Sequence, residues 1–379
     1  MNWVAIRMLT GDRVKFYGLV FGIAFSTLLI SQQLTLFVNL IFRGGVAVEE
    51  VATADVWVMD PATRTSDVIY PMPITALDRV RGVPGVDFAS PMLRSNATIR
   101  TTEGDLEGVT VIGVDDSALI GLPRRMAEGT PDRLMDPDAV FIDDTGARKL
   151  FGDAGEAIGT QLELNDRRAL VKGIVDSIPT FTAQVTLYTR YSNALAYVPG
   201  TRNRLSFVLV RGDGSLDAEA LAARITAQTG LKARTSKQFA QDGVDFIVET
   251  TGIPINFGIT VALGVIVGVA IVGLTLSLFL RDNIKQFGAL KAIGVTNRKI
   301  TAMVTTQSLL VTFIGFGLGL AMATLFIGLG AENSDAFKGF YTLWEIPLIT
   351  LGLVLAIVGL TSRFAMRSVL NTEPASVFR

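Results

Sequence analysis

The stretch "IKQFGALKAIGVTNRKI" (284–300) lies between two long apolar runs and is itself both apolar and basic. Phe287, Leu290 and Ile293 recur at the spacing of one helix face, and lysines and arginines surround them. Gly294 is the residue type that most often closes a helix in the left-handed conformation. The stretch therefore predicts a short amphipathic helix that lies along a membrane surface between two spanning helices.

The composition is that of a membrane protein. Of the 379 residues, 49% are hydrophobic and only 18% are charged, and the net charge is −1. Soluble domains carry about 25% charged residues. A chain with no net positive field is not expected to bind nucleic acid. The chain has no cysteine and no histidine, which excludes thiolate nucleophiles, disulfides and imidazole bases. We expect no catalytic residue, no metal site and no cofactor in this chain.

Four long runs lack Asp, Glu, Lys and Arg, and about 20 apolar residues suffice to cross a bilayer. These predicted spans are 16–42, 253–280, 300–330 and 346–362. The first run is longer than the apolar part of a secretory signal, and no small-residue cleavage motif follows it closely, so we interpret it as a retained anchor. Because the spans lack ionisable residues, a proton-coupled or ion-selective mechanism is disfavoured.

Clusters of lysine and arginine precede the first span, fill the loop between the second and third, and follow the fourth. The positive-inside rule places all three clusters in the cytoplasm. A multi-pass protein of the inner membrane, with both termini cytoplasmic, is predicted. Its segments are an N-terminal amphipathic segment (1–15), the first span (16–42), an extracytoplasmic domain (43–235), a stalk with the second span (236–280), a cytoplasmic helix (281–299), the third span (300–330), an external loop (331–345), the fourth span (346–362) and a tail (363–379).

The extracytoplasmic segment shows the patterns of an α+β domain, which we interpret as two lobes. Short apolar runs bounded by Gly, Pro and Asp predict strands, at 54–60, 107–115, 138–143, 168–175 and 204–211. Three other segments predict helices closed by glycine, at 74–83, 144–152 and 217–230.

The stretch "SKQFAQDGVDFIVETTG" (236–252) predicts a stalk helix that leads into the second span. Phe239, Val244, Ile247 and Val248 are expected to line one face of it. Pro254 is expected to bend the joint. The fold class is therefore four transmembrane helices with a large α+β extracytoplasmic domain between the first and second.

Two pairs of glycines at GxxxG spacing lie in the spans, Gly264 with Gly268 and Gly315 with Gly319. Such pairs let helix backbones approach closely. Packing within one chain and a dimer interface are both open interpretations. Acidic pairs at 115–116 and 143–144 are interpreted as solvated turn residues rather than as catalytic carboxylates.

Two interpretations of the opening stretch remain from its residues alone. A basic amphipathic helix of this kind can rest on anionic lipid headgroups without any protein partner. It can instead present Phe287, Leu290 and Ile293 to a groove in another protein.

"QFGALKAIGVTNRKI" (286–300) resembles the cytoplasmic coupling helix of FtsX/MacB-type (type VII) ABC transporter permeases. The four-span layout and the tail "EPASVFR" (373–379) are similar to those of the same family. "DRVKFYGLVFGIAFSTLLI" (12–30) and "ADVWVMDP" (54–61) resemble its DevC branch, whose members work with a membrane-fusion protein. Gln286 is a departure, because many relatives carry Glu there.

The resemblance implies a contact with a cytoplasmic ABC ATPase. It assigns that contact to Phe287, Gly288, Ala289, Leu290, Lys291, Ala292, Ile293 and Gly294. The sequence contains no GxxxxGK[ST] phosphate loop, so ATP and Mg²⁺ are expected on a separate subunit and this chain is expected to be a permease rather than an enzyme. The resemblance also implies a second permease copy in a homodimer, and a periplasmic membrane-fusion adaptor with an outer-membrane duct.

Three functions stay open at this point. The resemblance favours an ATP-driven exporter of an amphipathic molecule such as a glycolipid, a peptide or a drug. An FtsX-like mechanotransmitter that activates an external hydrolase or regulator is the alternative. Without the resemblance, the chain could be an anchored extracytoplasmic receptor that has no energy source.

Overall fold

A computed structural model describes residues 2–51, 53–101, 104, 106–181 and 185–370. The predicted tail motif at 373–379 lies outside the described residues. The chain forms two compact units. The helical unit contains the residues up to Asn39 and those from Gly252 onward, and the α+β unit is Leu40–Thr251.

Eleven helices occur in the part of the chain that the structure describes. They are α1 (Asn2–Gly11), α2 (Arg13–Glu49), α3 (Thr75–Arg81), α4 (Asp144–Phe151), α5 (Tyr191–Tyr197), α6 (Ala218–Thr229), α7 (Ser236–Thr250), α8 (Ile253–Asp282), α9 (Ile284–Ala292), α10 (Asn297–Asn333) and α11 (Glu345–Leu370).

Four of these helices, α2, α8, α10 and α11, are long and apolar enough to cross a membrane. They confirm the four predicted spans. Three of them, α2, α10 and α11, extend beyond the charge-free runs at both ends. The runs were bounded by the first charged residue, and a helix continues through charged residues such as Arg13 and Glu332. The four helices share an apolar core that includes Ile23, Val272, Val304 and Val358.

Twelve strands are described in the α+β unit. They are β1 (Val56–Met59), β2 (Met72–Pro73), β3 (Val86–Arg100), β4 (Leu106–Val114), β5 (Met126–Glu128), β6 (Ala139–Asp143), β7 (Gln161–Leu164), β8 (Arg167–Val175), β9 (Val185–Arg190), β10 (Arg204–Leu205), β11 (Phe207–Gly212) and β12 (Lys232–Thr235).

Ten strands form one mixed sheet in the order β12-β1-β11-β3-β4-β9-β6-β8-β5, and β7 pairs with β3 and β8. The pairs β4–β9 and β6–β8 are parallel. The long strand β3 pairs with β11 through its first half and with β4 through its second half. The two predicted lobes are therefore joined in a single sheet, because one 15-residue strand serves both halves.

The predicted strands and helices of this unit each have a counterpart, but the strands β2, β3, β5, β7, β9 and β12 and the helix α5 were not predicted. The longest of the missed strands is β3. Its sequence contains Pro91 and the polar run Arg94–Ser95–Asn96, so neither an apolar run nor a clean alternation marks it. Its strand conformation is imposed by neighbours on both sides.

The stalk helix α7 begins with a reciprocal capping box. The hydroxyl of Thr235 accepts from the backbone N–H of Gln238 at 3.2 Å, and the Gln238 side chain accepts from the backbone N–H of Thr235 at 3.2 Å. The helix ends at Thr250, and Pro254 lies in the first turn of α8. Pro254 therefore starts a new helix rather than bending an existing one, since a helix start does not need its missing N–H.

The predicted face of α7 is partly wrong. The buried residues are Phe239, Ala240, Gly243 and Ile247, whereas Val248 is 41% exposed. The buried face is rotated toward the small residues because another helix backbone approaches α7 there.

The prediction that the acidic pair at 143–144 is solvated is also wrong. Both residues are buried, with Asp143 3% exposed and Asp144 8% exposed. Asp143 caps α4: its carboxylate accepts from the N–H of Gly146 at 2.8 Å and from the N–H of Thr186 at 2.5 Å. Burial raises the pKa of Asp143, and these hydrogen bonds oppose that shift. The prediction of a solvated turn was wrong because β9, a strand far along the chain, brings the backbone N–H of Thr186 to the Asp143 carboxylate.

Candidate functional site

The coupling segment is defined here as Asn283–Ile300, which contains α9 and the turn into α10. It is tied to α8 through Asn283, whose side-chain amide donates to the carbonyl of Phe279 at 2.8 Å. The backbone carbonyl of Asn283 accepts from the N–H of Phe287 at 3.1 Å. These bonds connect the end of a spanning helix directly to the first turn of α9.

The expected apolar face of the coupling segment is mostly turned inward. Phe287 is only 1% exposed and lies in the core of the spanning helices, and Leu290 packs against the same core. The expectation that Phe287 faces a partner is therefore wrong, and for the partly buried Leu290 it stays a prediction. Ile293 is 78% exposed. A helix attached to two spans at its ends satisfies most of its apolar face within its own chain.

The other residues assigned to the ATPase contact also divide into buried and exposed ones. Gly288 is buried, Lys291 is half-buried, and Ala289, Ala292 and Gly294 are exposed together with Ile293. The outer surface of the coupling segment thus has Lys285 and Gln286 in its first turn, and the small residues Ala289, Ala292 and Gly294 next to Ile293 at its end.

The turn after α9 is a Schellman motif. Gly294 has a φ of 91°, the conformation in which glycine carries no Cβ penalty. Its N–H donates to the carbonyl of Lys291 at 3.0 Å, and the N–H of Val295 donates to the carbonyl of Leu290 at 3.0 Å. The predicted left-handed closure at Gly294 is confirmed, and the motif fixes where Ile293 points.

Sequence reasoning missed that α1 braces the same region. Leu9 is 1% exposed in the core that holds Phe287, and the Gln307 side chain of α10 donates to the carbonyl of Ala5 at 2.7 Å. Lys15 pairs with Asp12 at 2.6 Å and also with Asp282 at the end of α8. The spacing of Ala5 and Leu9 on one helix face was the available signal.

The four glycines of the two GxxxG pairs all pack against α2 of the same chain. A Cβ on Gly315 would lie 2.8 Å from Cβ of Ile23, and one on Gly264 would lie 3.4 Å from Ile30. A Cβ on Gly268 would meet the hydroxyl of Ser26, and one on Gly319 would meet the backbone of Ala24. Of the two interpretations left open, this geometry is that of packing within one chain.

A second close helix contact was also missed, and we call it the stalk crossing. It joins Gly44 and Gly45, near the end of α2, to Ala240, Gly243 and Ile247 of α7. A Cβ on Gly44 would lie 2.6 Å from the carbonyl oxygen of Gly243, and one on Gly45 would lie 2.8 Å from that of Ala240. The two backbones touch, which only glycine permits. The Gly-Gly pair after the first span was the one sequence signal.

The comparisons with known proteins agree with this architecture. Residues 17–228 match the MacB-like periplasmic core domain, and residues 258–374 match the FtsX-like permease C-terminal domain. The chain belongs to the FtsX/MacB family of ABC transporter permeases. As an FtsX/MacB-type permease it is a multi-pass membrane protein.

Relatives of this permease include an uncharacterized ABC transporter permease of Mycobacterium tuberculosis, 26% identical over 81% of this chain and 79% of that protein. The macrolide export ATP-binding/permease protein MacB of Burkholderia cenocepacia is 24% identical over 79% of this chain and 44% of its own length. The solved periplasmic region of MacB from Actinobacillus actinomycetemcomitans aligns with 54% of this chain and 97% of its own, with 18% identity and a TM-score of 0.38.

Proposed function

We propose that this permease is the membrane subunit of an ATP-driven exporter located in the inner membrane with both termini in the cytoplasm. The observation that carries the proposal is the coupling segment. Its position is fixed at both ends by Asn283 and the Schellman turn, and its outer surface exposes Ile293. A segment held this rigidly passes the movement of a bound ATPase into α8 and α10.

ATP and Mg²⁺ bind on that separate ATPase in this proposal, and two permeases work with two ATPases. The helix α2 runs without interruption from Arg13 to Glu49, so it begins in the helical unit and ends in the α+β unit. Its continuity supports mechanical transmission to the external domain. The cargo is an amphipathic molecule (a glycolipid, a peptide or a drug), and the resemblance to the DevC branch supports a membrane-fusion adaptor with an outer-membrane duct.

The same mechanical connection also serves the alternative function. A continuous α2 held against α7 at the stalk crossing can pull on an external hydrolase or regulator without moving any cargo. The two outputs share the ATPase contact and differ only in what the external domain engages.

The substitution Ile293→Asp tests the ATPase contact. A buried carboxylate without a partner costs about 3–5 kcal/mol, which weakens a complex by roughly two to three and a half orders of magnitude. We expect a normally inserted permease that no longer copurifies with its ATPase or changes its hydrolysis rate. Ile293 is the better position than Leu290, because Leu290 also packs within the permease.

Two controls accompany this variant. Tyr341→Asp places the same charge at a position that is 60% exposed in the external loop, and it should leave ATPase binding unchanged. Lys285→Gln with Lys299→Gln tests the lipid interpretation, in which each cation contributes about 1 kcal/mol of membrane attraction. Full ATPase binding by Ile293→Asp, or loss of binding only in the double Gln variant, would refute the docking role.

A further inference from the structure

One edge of the strand β3 is left unpaired in its middle. The neighbours of β3 in the sheet are β11 on one side and β4 on the other. Strand β4 pairs with β3 from Leu93 to Arg100. On the opposite edge β11 pairs with β3 as far as Met92, and β7 pairs with it at Ile99 and Arg100, where β4 already occupies the first edge. Among the residues that the structure describes, no strand covers the opposite edge at residues 93–98. We call this stretch of edge the β3 gap.

The β3 gap leaves one backbone position open. Successive residues of a strand direct their N–H and C=O groups to alternate edges. Arg94 faces the gap, because its N–H donates to the hydroxyl of Ser206 at 2.9 Å and its carbonyl accepts from that hydroxyl at 3.0 Å. Thr98 also faces it, because its carbonyl accepts from the N–H of Asn165 at 3.2 Å. Asn96 lies midway between them and faces the same edge, where no described residue supplies a partner for its N–H or its C=O.

A cavity of about 280 Å³ lies at the β3 gap. Residues 93–96 of β3 line it together with Ser206, and Asp67, Ile69 and Pro71 line it from another segment of the chain. Asn96 is exposed, so this edge is reachable from solvent. Ligand pockets begin at about 300 Å³, and an occupant of this cavity therefore has to be small.

The charges at this cavity cancel. The guanidinium of Arg94 pairs with the carboxylate of Asp67, and the Arg94 side chain is 8% exposed. These two are the only charged residues among the described residues that line the cavity. Recognition here therefore depends on hydrogen bonds rather than on net charge, and the open groups are one donor and one acceptor on the backbone of Asn96.

An extended polypeptide backbone matches these two groups. In an antiparallel ladder, two opposite residues can exchange both of their N–H···O bonds, so one residue of an incoming segment can satisfy both groups of Asn96. Ser206 and Asn165 close the gap at Arg94 and Thr98, which are about 14 Å apart along a strand. About three extended residues fit within that length. The gap therefore suits a short segment, such as the apex of a loop or a chain end, rather than a long strand.

We propose that the β3 gap is a docking site for an extended segment of about three residues that belongs to a second protein and pairs with Asn96 by strand addition. The hydrogen bonds to the backbone of Asn96 hold the segment, and Ser95 and Thr201 lie beside it in the wall of the cavity. This inference goes beyond the proposed function, because it assigns a protein contact to the α+β unit and depends neither on the ATPase nor on the cargo.

The test uses the full-length permease in lipid nanodiscs and the peptide trifluoroacetyl-Val-Thr-Val-amide, which stands for the docking segment. Fluorine NMR of the peptide should show saturable line broadening above that of empty nanodiscs. The same peptide methylated on the nitrogen of each residue cannot donate to the carbonyl of Asn96. We expect it to bind about 2- to 10-fold more weakly, as for the loss of one hydrogen bond.

Three variants of the permease locate the bound peptide. Asn96→Pro removes the N–H that points into the gap, and the fold should persist because proline is tolerated where a strand N–H faces outward. This variant should lose saturable binding. Asn96→Ala keeps the backbone and is the matched control, which should bind as the wild type does. Thr201→Trp places a ring in the cavity and should also abolish binding. Thermal unfolding establishes that each variant is folded.

Three results would overturn the proposal: no saturable broadening with the wild type, equal binding of the methylated and unmethylated peptides, or wild-type binding by a folded Asn96→Pro. Each would mean that the gap is covered by water alone. Loss of binding in Asn96→Ala would also overturn it, because the side chain rather than the backbone would then hold the peptide. If Asn96→Pro does not fold, the comparison of the two peptides and the variant Thr201→Trp decide the outcome.

Discussion

The coupling segment and the stalk crossing are both fixed helix contacts, yet they differ in what they show to the outside. The coupling segment exposes Ile293 and small side chains around it. The stalk crossing is closed, with Gly44 and Gly243 facing each other at backbone distance. The first leaves a large apolar side chain uncovered. The second is built to keep α2 and α7 from sliding apart, since nothing fits between two touching backbones.

The largest expected effect comes from opening the stalk crossing with Gly243→Leu. The new side chain would occupy the position of the Gly44 backbone, and overpacking of this kind costs about 1–3 kcal/mol or more. We expect a lower melting temperature of the α+β unit. With Trp3→Phe and Trp344→Phe in the background, Trp57 is the only tryptophan of the three in the chain that remains. Its emission then reports this unfolding, because the Trp57 ring lies 5.6 Å from that of Phe239 on α7.

Gly258→Leu is the matched control for that variant, because a Cβ at Gly258 meets nothing within 4 Å. It should leave the melting temperature unchanged. If Gly243→Leu and Gly258→Leu unfold at the same temperature, the crossing is not a tight contact in solution and the comparison between the two regions fails.

The two regions also differ in how visible they are in the sequence. The coupling segment combines apolar spacing, basic residues and a closing glycine within one short stretch of sequence, so its helix and its Schellman turn at Gly294 were predictable. The stalk crossing depends on residues in two distant helices, Gly44 in α2 and Gly243 in α7. A single sequence shows each glycine but not the partner that requires it.

The difference between local and distant determinants also explains which other features could be predicted from the sequence. The four spans follow from local composition and were predicted. The strand β3 and the buried state of Asp143 depend on neighbours far along the chain, β11 and Thr186 respectively. The inward turn of Phe287 belongs to this class as well, since its partners are in other helices.

A smaller effect, on the affinity for the ATPase, is expected from a substitution in the turn of the coupling segment. Gly294→Ala places a Cβ on a residue with a φ of 91°, which costs about 1–2 kcal/mol. We expect the variant to keep its membrane insertion and to bind its ATPase several-fold more weakly, as measured by titration of the purified subunits. Gly252→Ala, where a Cβ has open space and φ is −75°, is the control. Unchanged affinity in Gly294→Ala would mean that the turn does not set the position of Ile293.

The smallest expected effect is on the pH dependence of the melting temperature. It tests whether Asp143 is as enclosed as the stalk crossing or as accessible as the coupling segment. Burial raises the pKa of Asp143 above its ordinary value of 3.8, so the folded state favours the protonated carboxyl more than the unfolded state does. The stabilisation from this group is thus fully present below pH 3.8 and is lost as the pH rises through the folded pKa. Asp143→Asn removes the titration but keeps one acceptor oxygen and the size of the side chain. We therefore expect the difference between the melting temperatures of the wild type and Asp143→Asn to become smaller as the pH rises from 4 to 7. The neighbouring carboxyl of Asp144 is present in both proteins, so its own effect on the melting temperature is contained in both values. A difference that rises with pH would mean that the hydrogen bonds from Gly146 and Thr186 outweigh burial, and that Asp143 belongs with the accessible groups.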